Sequence, residues 1–136
     1  LSISAREVLN RHPLAAPVIE SRTEPGPANL SHRNAVIGCL RNGCLSIELT
    51  THALTILDSF IYGIAFQEAN LPAHGEGEEL AEVTRQIAPN FLTDEYPHLA
   101  ELTFELVLQP GYSFADSFEF GLDLILEGID RAARVE

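Results

Sequence analysis

The sequence contains no methionine and no tryptophan, and its basic residues are all arginine. Because it has no methionine and begins at Leu1, the chain is expected to be a fragment of a longer protein. The 8 arginines are scattered and outnumbered by 20 acidic residues, giving a formal net charge of −12. Phosphate groups would therefore find no basic stripe to bind. The composition argues against direct contact between this segment and nucleic acid.

Cysteine is scarce as well, and the two residues present are Cys39 and Cys44. In one predicted helix they would be separated by a rise of about 7.5 Å. That separation is too long for a disulfide bond, so reduced thiols and a cytoplasmic location are expected. Apolar runs are broken by charges or glycines well before the ~18 residues of a membrane span. No membrane association is expected, and the amino end shows no signal-peptide pattern.

Motifs for catalysis or metal binding are also missing. The histidines never stand three or four residues apart, the spacing that lets one helix present two metal ligands; they are His12, His32, His52, His74 and His98. The sequence has no GxSxG elbow, no P-loop and no GxGxxG after a strand. It therefore predicts no metal site, no cofactor, no catalytic residues and no enzymatic activity.

Helical periodicity is present from end to end, with apolar residues at i, i+3 and i+4 and almost no strand signal. One all-α domain over residues 1–136 is predicted. Its helices are expected at about Ser2–Arg11, Ala28–Asn42, Ile47–Asn70 and Glu78–Ile87, followed by one from Pro97 and one from Ser113. Gly43 is expected to end the second helix as a C′ glycine, and Ser46 to cap the third.

The last helix is more apolar than one packing contact requires. One stripe carries Phe114, Phe118, Gly121, Leu122, Ile125, Gly128 and Ile129. Phe120 and Leu124 lie on a flank away from it, so the apolar arc is about twice the ~100° of a surface helix. Each helix-interior glycine costs ~1 kcal/mol relative to alanine, which calls for a packing reason. A second copy of the chain is the favoured partner. The alternative is a terminal helix sunk in a monomeric core.

Four segments occur in an order that resembles a known family. They are "HPLAAPVIESR", "LTILDSFIYGIAFQE", "YPHLAEL" and "FEFGLDLILEGID". Together they resemble the carboxyl-terminal domain of tetracycline-repressor (TetR) family transcription regulators, and the resemblance extends from about Ala5 to Arg131. It implies an amino-terminal helix-turn-helix domain upstream of this segment, through which operator DNA would be bound.

The resemblance also implies a multi-helix bundle whose last two helices, about Pro97–Gln109 and Ser113–Ala133, pair with their copies in a four-helix homodimer interface. The residues predicted for that interface are Leu99, Leu102, Leu106, Phe118, Gly121, Leu122, Ile125, Gly128 and Ile129.

Candidate ligand-binding residues lie on the third helix. Thr55, Asp58, Tyr62 and Phe66 share one face of an otherwise apolar segment. They offer the sparse polar groups and aromatic wall of a small-molecule pocket. The alternative is a solvent-facing edge, or a hydrogen bond between Asp58 and Tyr62. The resemblance favours a ligand cavity among the helices before the dimer pair. Residues elsewhere on the helix are alternative lining residues: Phe60, Ile64 and Gln67.

The function predicted from these features is that of a ligand-responsive transcription regulator, most simply a repressor. A small effector of unknown identity would enter the helical cavity and shift the dimer between two arrangements. The alternative is a helical small-molecule carrier or interaction dimer that has no link to DNA binding.

Overall fold

A computed structural model of the protein describes residues 2–11, 26–71, 77–90 and 95–135. In these ranges it contains helices and no strand, which confirms the predicted all-α class. The α-helices are α1 Ser2–Arg11, α2 Pro27–Asn42, α3 Ile47–Ala69, α4 Gly77–Ile87, α5 Pro97–Leu102 and α6 Asp116–Ala133. His12 and His74 lie outside the described residues.

The chain divides into two compact units, Leu1–Phe66 with Phe120–Glu136 and Gln67–Glu119. Buried residues of the first unit are Leu9, Leu45, Thr50, Ala53, Ile61 and Ala65. Those of the second are Glu68, Leu80, Ala88, Thr103 and Phe118. Each unit therefore has buried residues of its own, and the assignment of residues 1–136 to one domain stays a prediction.

The boundary between α2 and α3 depends on local hydrogen bonds. The Gly43 N–H donates to the carbonyl oxygens of Cys39 and Leu40, and the Cys44 N–H donates to that of Arg41. Gly43 has a φ of −77°, whereas Cys44 has a φ of 65°. The left-handed residue that ends the helix is thus Cys44 and not Gly43 as predicted. Cys44 consequently lies beyond the helix that holds Cys39, and both thiols are free and exposed.

Ser46 caps α3 as the sequence predicts. Its side-chain oxygen accepts a hydrogen bond from the Leu49 N–H at 3.0 Å, which satisfies an amide that the first helical turn cannot pair. We expect Ser46→Ala to lower the free energy of unfolding by about 1 kcal/mol, measured by urea denaturation. Ser59→Ala, at an exposed position of the same helix, is the matched control. Equal stability of the two variants would show that the cap contributes nothing.

The third helix, α3, is only partly covered by the rest of the chain. Its exposed apolar side chains include Ile47, Ile56 and Phe66, at 74%, 48% and 67% exposure. By length and composition, this helix also qualifies as a candidate membrane span. The expectation that no segment spans a membrane stays a prediction. A single such helix is weak evidence for a membrane, since core helices of soluble proteins have the same length and composition.

The second unit contains a local widening of its helix. Helix α5 continues as a π-helix over Thr103–Val107, in which the Leu108 N–H donates to the Thr103 carbonyl at 3.0 Å. Such a turn inserts one extra residue and changes the direction of the side chains that follow it. Helix α6 begins at Asp116 and not near Ser113, because Ser113 forms the preceding turn and accepts the Ala115 N–H at 3.1 Å.

Candidate functional site

A cavity of about 470 Å³ is lined by residues of α1, α2 and α3, all of them in the first unit. Its size falls within the ~300–1,000 Å³ typical of small-molecule sites. The lining residues in the part of the chain that the structure describes are Ser4, Val8, Leu9, Asn29, His32, Arg33, Val36, Leu54, Asp58 and Tyr62. They combine aliphatic side chains with a few polar groups, which is the composition of a site for a partly apolar molecule.

Helix geometry explains which residues of α3 reach this cavity. Leu54, Asp58 and Tyr62 are spaced four apart, so they form one stripe that drifts by about 40° per step. On α2 the lining residues follow i, i+3, i+4 and i+7; they are Asn29, His32, Arg33 and Val36. Each helix therefore contributes a single face, and the cavity exists because these faces are adjacent.

An ion pair joins two of the lining helices. The Arg33 Nη1 atom of α2 lies 3.6 Å from the Asp58 Oδ2 atom of α3, and the two side chains are 48% and 41% exposed. At this exposure solvent screens the attraction, so the pair contributes at most about 1 kcal/mol to stability. Its importance for a ligand lies in placing a positive and a negative charge together in the cavity lining.

Two of the predicted ligand-binding residues, Asp58 and Tyr62, line the cavity. Two others on the predicted face do not. The Thr55 hydroxyl is exposed and donates to the Thr51 carbonyl at 3.0 Å, and Phe66 is 67% exposed. Both are turned further around α3, by about 60–80° from Asp58, and this rotation takes them out of the cavity.

The alternative lining residues also lie elsewhere. Phe60 is directed towards Gly121 of α6, since the Phe60 Cζ atom lies only 2.6 Å from the position a Gly121 Cβ would occupy. Ile64 is half-buried and Gln67 is exposed, and neither lines the cavity. Helix α3 therefore contributes to this site through the stripe of Leu54, Asp58 and Tyr62.

Sequence reasoning missed the contributions of α1 and α2. In the sequence, Val36 is an ordinary apolar residue of a helix, and Asn29, His32 and Arg33 have the composition of a solvent-facing surface. Their i, i+3, i+4, i+7 spacing places them on one face, which is the available signal. The sequence does not indicate that this face lies opposite Asp58.

The last helix separates its apolar residues into covered and exposed sets. Phe118 is only 1% exposed, and Gly121 lies against the ring of Phe60 in the first unit. For these two residues the structure gives neighbours within the chain, and their place in a dimer interface stays a prediction. The exposed apolar flank of α6 is instead Phe120 and Leu124, at 68% and 55% exposure.

Other predicted interface residues differ in exposure. Leu122, Ile125 and Ile129 are half-buried, and Gly128 is exposed with nothing within 4 Å of an added Cβ. In the second unit, three leucines are 42%, 52% and 50% exposed: Leu99, Leu102 and Leu106. Their place in a dimer interface stays a prediction.

Among the described residues, no group of three or more His, Cys, Asp or Glu side chains could hold a metal ion. His32 belongs to the cavity lining, whereas His52 and His98 each lie near a glutamate of their own helix, Glu48 and Glu101. Each of these three histidines therefore has either a nearby glutamate or a place in the cavity lining.

Comparison with known proteins identifies the fold family. The family model described as "Tetracyclin repressor-like, C-terminal domain" matches residues 1–133, which is nearly the whole chain. No match was found among curated proteins or among solved structures. The match agrees with the all-α architecture and with the resemblance of the four segments noted above. The chain therefore belongs to the family of tetracycline-repressor-like C-terminal domains.

Proposed function

We propose that this chain is the effector-binding and dimerisation part of a transcription regulator, most simply a repressor, and that the effector occupies the cavity lined by α1, α2 and α3. The single observation that carries the proposal is that cavity, about 470 Å³ in a domain of a regulatory family. DNA would be contacted only by a helix-turn-helix domain encoded upstream. Domains of this family are regulatory and not enzymatic, and no catalytic role is proposed.

The ligand would act through the arrangement of the three lining helices. A molecule that contacts α1, α2 and α3 together stabilises the arrangement of these helices in which their three lining faces can all contact it. It shifts the equilibrium only by the difference between its affinities for the two states. This shift would change the distance between the two upstream DNA-binding domains of the dimer, and so alter operator binding.

The dimer is proposed on the exposed apolar flank of α6, at Phe120 and Leu124. Members of the family are typically homodimeric and cytoplasmic, which supports both assignments for this chain. A twofold interface buries the same patch on both subunits. Phe120 and Leu124 would therefore be covered in each subunit, which makes four covered side chains in the dimer. The alternative of a carrier with no DNA-binding partner domain would show the same dimer but no operator binding by the full-length protein.

The ligand site is tested by narrowing the cavity. We expect Val36→Phe, which adds bulk to the cavity lining, to weaken any bound compound about tenfold or more, because the ring occupies volume that the ligand needs. Compounds are first found by thermal shift, since ligands that bind the folded state raise the melting temperature. Their affinities are then measured by calorimetry on wild type and variant.

Ile37→Phe is the matched control for that variant. Ile37 is the next residue of α2, is 39% exposed and does not line the cavity, so its substitution should leave affinity unchanged. Circular dichroism confirms that both variants are folded. Unchanged affinity of Val36→Phe, or equal losses in both variants, would place the effector elsewhere and remove the basis of the proposal.

A further inference from the structure

We infer that the ligand of this cavity is an uncharged, largely apolar molecule, and that the Arg33–Asp58 ion pair sets this preference. The inference rests on the proposed function and deepens it, because it names the chemical class of the ligand. Its starting point is that, among the described residues of the lining, there are one arginine and one carboxylate, held 3.6 Å apart.

The proximity of the two charges removes the advantage of a charged ligand. An anionic group near Arg33 is also near Asp58, so it is attracted by one side chain and repelled by the other at similar distance. A cationic group meets the opposite combination. Apart from His32, the described part of the lining therefore presents no net charge that could compensate the ligand for lost hydration.

The free-energy cost of removing water from a charged ligand therefore disfavours its binding in this cavity. Part of the lining is aliphatic, through Val8, Leu9, Val36 and Leu54, and these side chains cannot solvate a charge. A charged ligand could recover the loss only by taking one member of the pair for itself, which leaves the other charge without that partner. An uncharged ligand avoids both costs.

An uncharged ligand also strengthens the pair it leaves intact. Both side chains are close to half exposed, so water screens their attraction. A molecule that fills the cavity displaces some of that water and lowers the local effective dielectric constant. Hydrogen bonds to a carbonyl or hydroxyl of the ligand remain possible from Asn29 and Ser4. The favoured class is therefore an apolar body with one or two neutral polar groups.

The test uses three fluorescent probes that share the dansyl group and differ in charge: dansylamide, dansylglycine and dansylethylenediamine. All three titrations are made at the same pH, about 8. We expect the neutral dansylamide to bind at least about tenfold more tightly than the anionic or the cationic probe. Binding must weaken in Val36→Phe for the signal to count as cavity binding.

Charge variants test whether the pair sets the preference. Asp58→Asn leaves the positive charge and should shift the relative affinity about tenfold towards dansylglycine. Arg33→Gln leaves the negative charge and should shift it similarly towards dansylethylenediamine. The double variant should favour neither ion, since it has neither charge. Asp58→Asn is nearly isosteric and keeps the shape of the cavity, whereas Arg33→Gln also shortens the side chain.

Two distant variants serve as controls with the same change in net charge. Arg85→Gln removes a cation that is paired with Glu78 and Glu82 on α4. Asp130→Asn removes an anion of α6 that is paired with Arg134, just beyond the end of that helix. Neither should alter the order of the three probes. A change there would mean that net charge, and not the local pair, controls the preference.

The outcomes separate this inference from the proposed function. Equal affinities of the three probes, or a preference that Asp58→Asn and Arg33→Gln leave unchanged, would overturn the inference while the cavity remains a ligand site. If no probe gives a signal that depends on Val36, the cavity binds none of these partly apolar molecules, and both the inference and the proposed ligand site fail.

Discussion

Leu124→Glu is expected to convert the proposed homodimer into a monomer. Leu124 is 55% exposed on the flank of α6 and lies one helical turn from Phe120, which is 68% exposed. Covering a leucine contributes ~1.5–3 kcal/mol, and a twofold interface covers it twice. Because each Leu124 is already about half covered, loss of both contacts amounts to about 2–3 kcal/mol, or roughly a hundredfold in the dimerisation constant. The two glutamates would also repel each other across the symmetry axis.

Sedimentation equilibrium over a range of concentrations measures this effect. Ile56→Glu is the matched control, because Ile56 is 48% exposed on α3 and loses a similar apolar area. We expect the control to keep the association state of the wild type. If Leu124→Glu sediments as a dimer while circular dichroism shows an unchanged fold, the flank of α6 is not the interface. A wild-type chain that is monomeric at micromolar concentration would refute the dimer altogether.

Gly121→Leu is expected to destabilise the fold by about 3 kcal/mol, the cost of adding bulk where a core contact is already filled. An added Cβ at Gly121 would lie 2.6 and 2.7 Å from the Cζ and Cε2 atoms of Phe60, closer than real carbon atoms approach. Either the ring or the helix must move, and a leucine requires more movement than an alanine. Urea denaturation at fixed protein concentration measures the loss.

A matched pair of alanine variants isolates the contact with Phe60. Gly63 also lies inside a helix, but nothing lies within 4 Å of an added Cβ there. Gly63→Ala should therefore stabilise the fold by up to ~1 kcal/mol through helix propensity. Gly121→Ala gains the same amount and loses more to the contact, so it should be destabilising. Phe60→Ala should relieve Gly121→Leu. Identical behaviour of the two alanine variants would contradict the close approach.

The helices themselves could be predicted from local patterns. The bounds of α1 agree with the prediction, and those of α2 and α4 differ by one residue at the amino end. Ser46 acts as the predicted cap, because a serine oxygen three residues before Leu49 needs only local geometry to reach its N–H group. The residue that takes the left-handed conformation at the end of α2 is harder to predict. It is Cys44 and not Gly43, and the helical periodicity does not distinguish two adjacent positions after the helix.

The candidate site could be predicted only in part. The stripe of α3 that carries Asp58 and Tyr62 follows from helical spacing and does line the cavity. The opposite wall, with Arg33 and Val36, depends on how α2 lies against α3, which no spacing within either helix records. Thr55 and Phe66 were included because a helical face is broad, whereas the cavity uses only the part near Asp58.

The sequence by itself determined that this chain is helical, acidic and richer in apolar surface on α6 than one contact requires. These properties come from periodicity and composition, which are local or additive. The tertiary structure decided which side of α6 is covered: Phe118 and Gly121 meet neighbours in the chain, while Phe120 and Leu124 remain exposed. That choice depends on contacts between residues far apart in the sequence, such as Phe60 and Gly121, because a helix defines its faces and the surrounding chain determines which of them is buried.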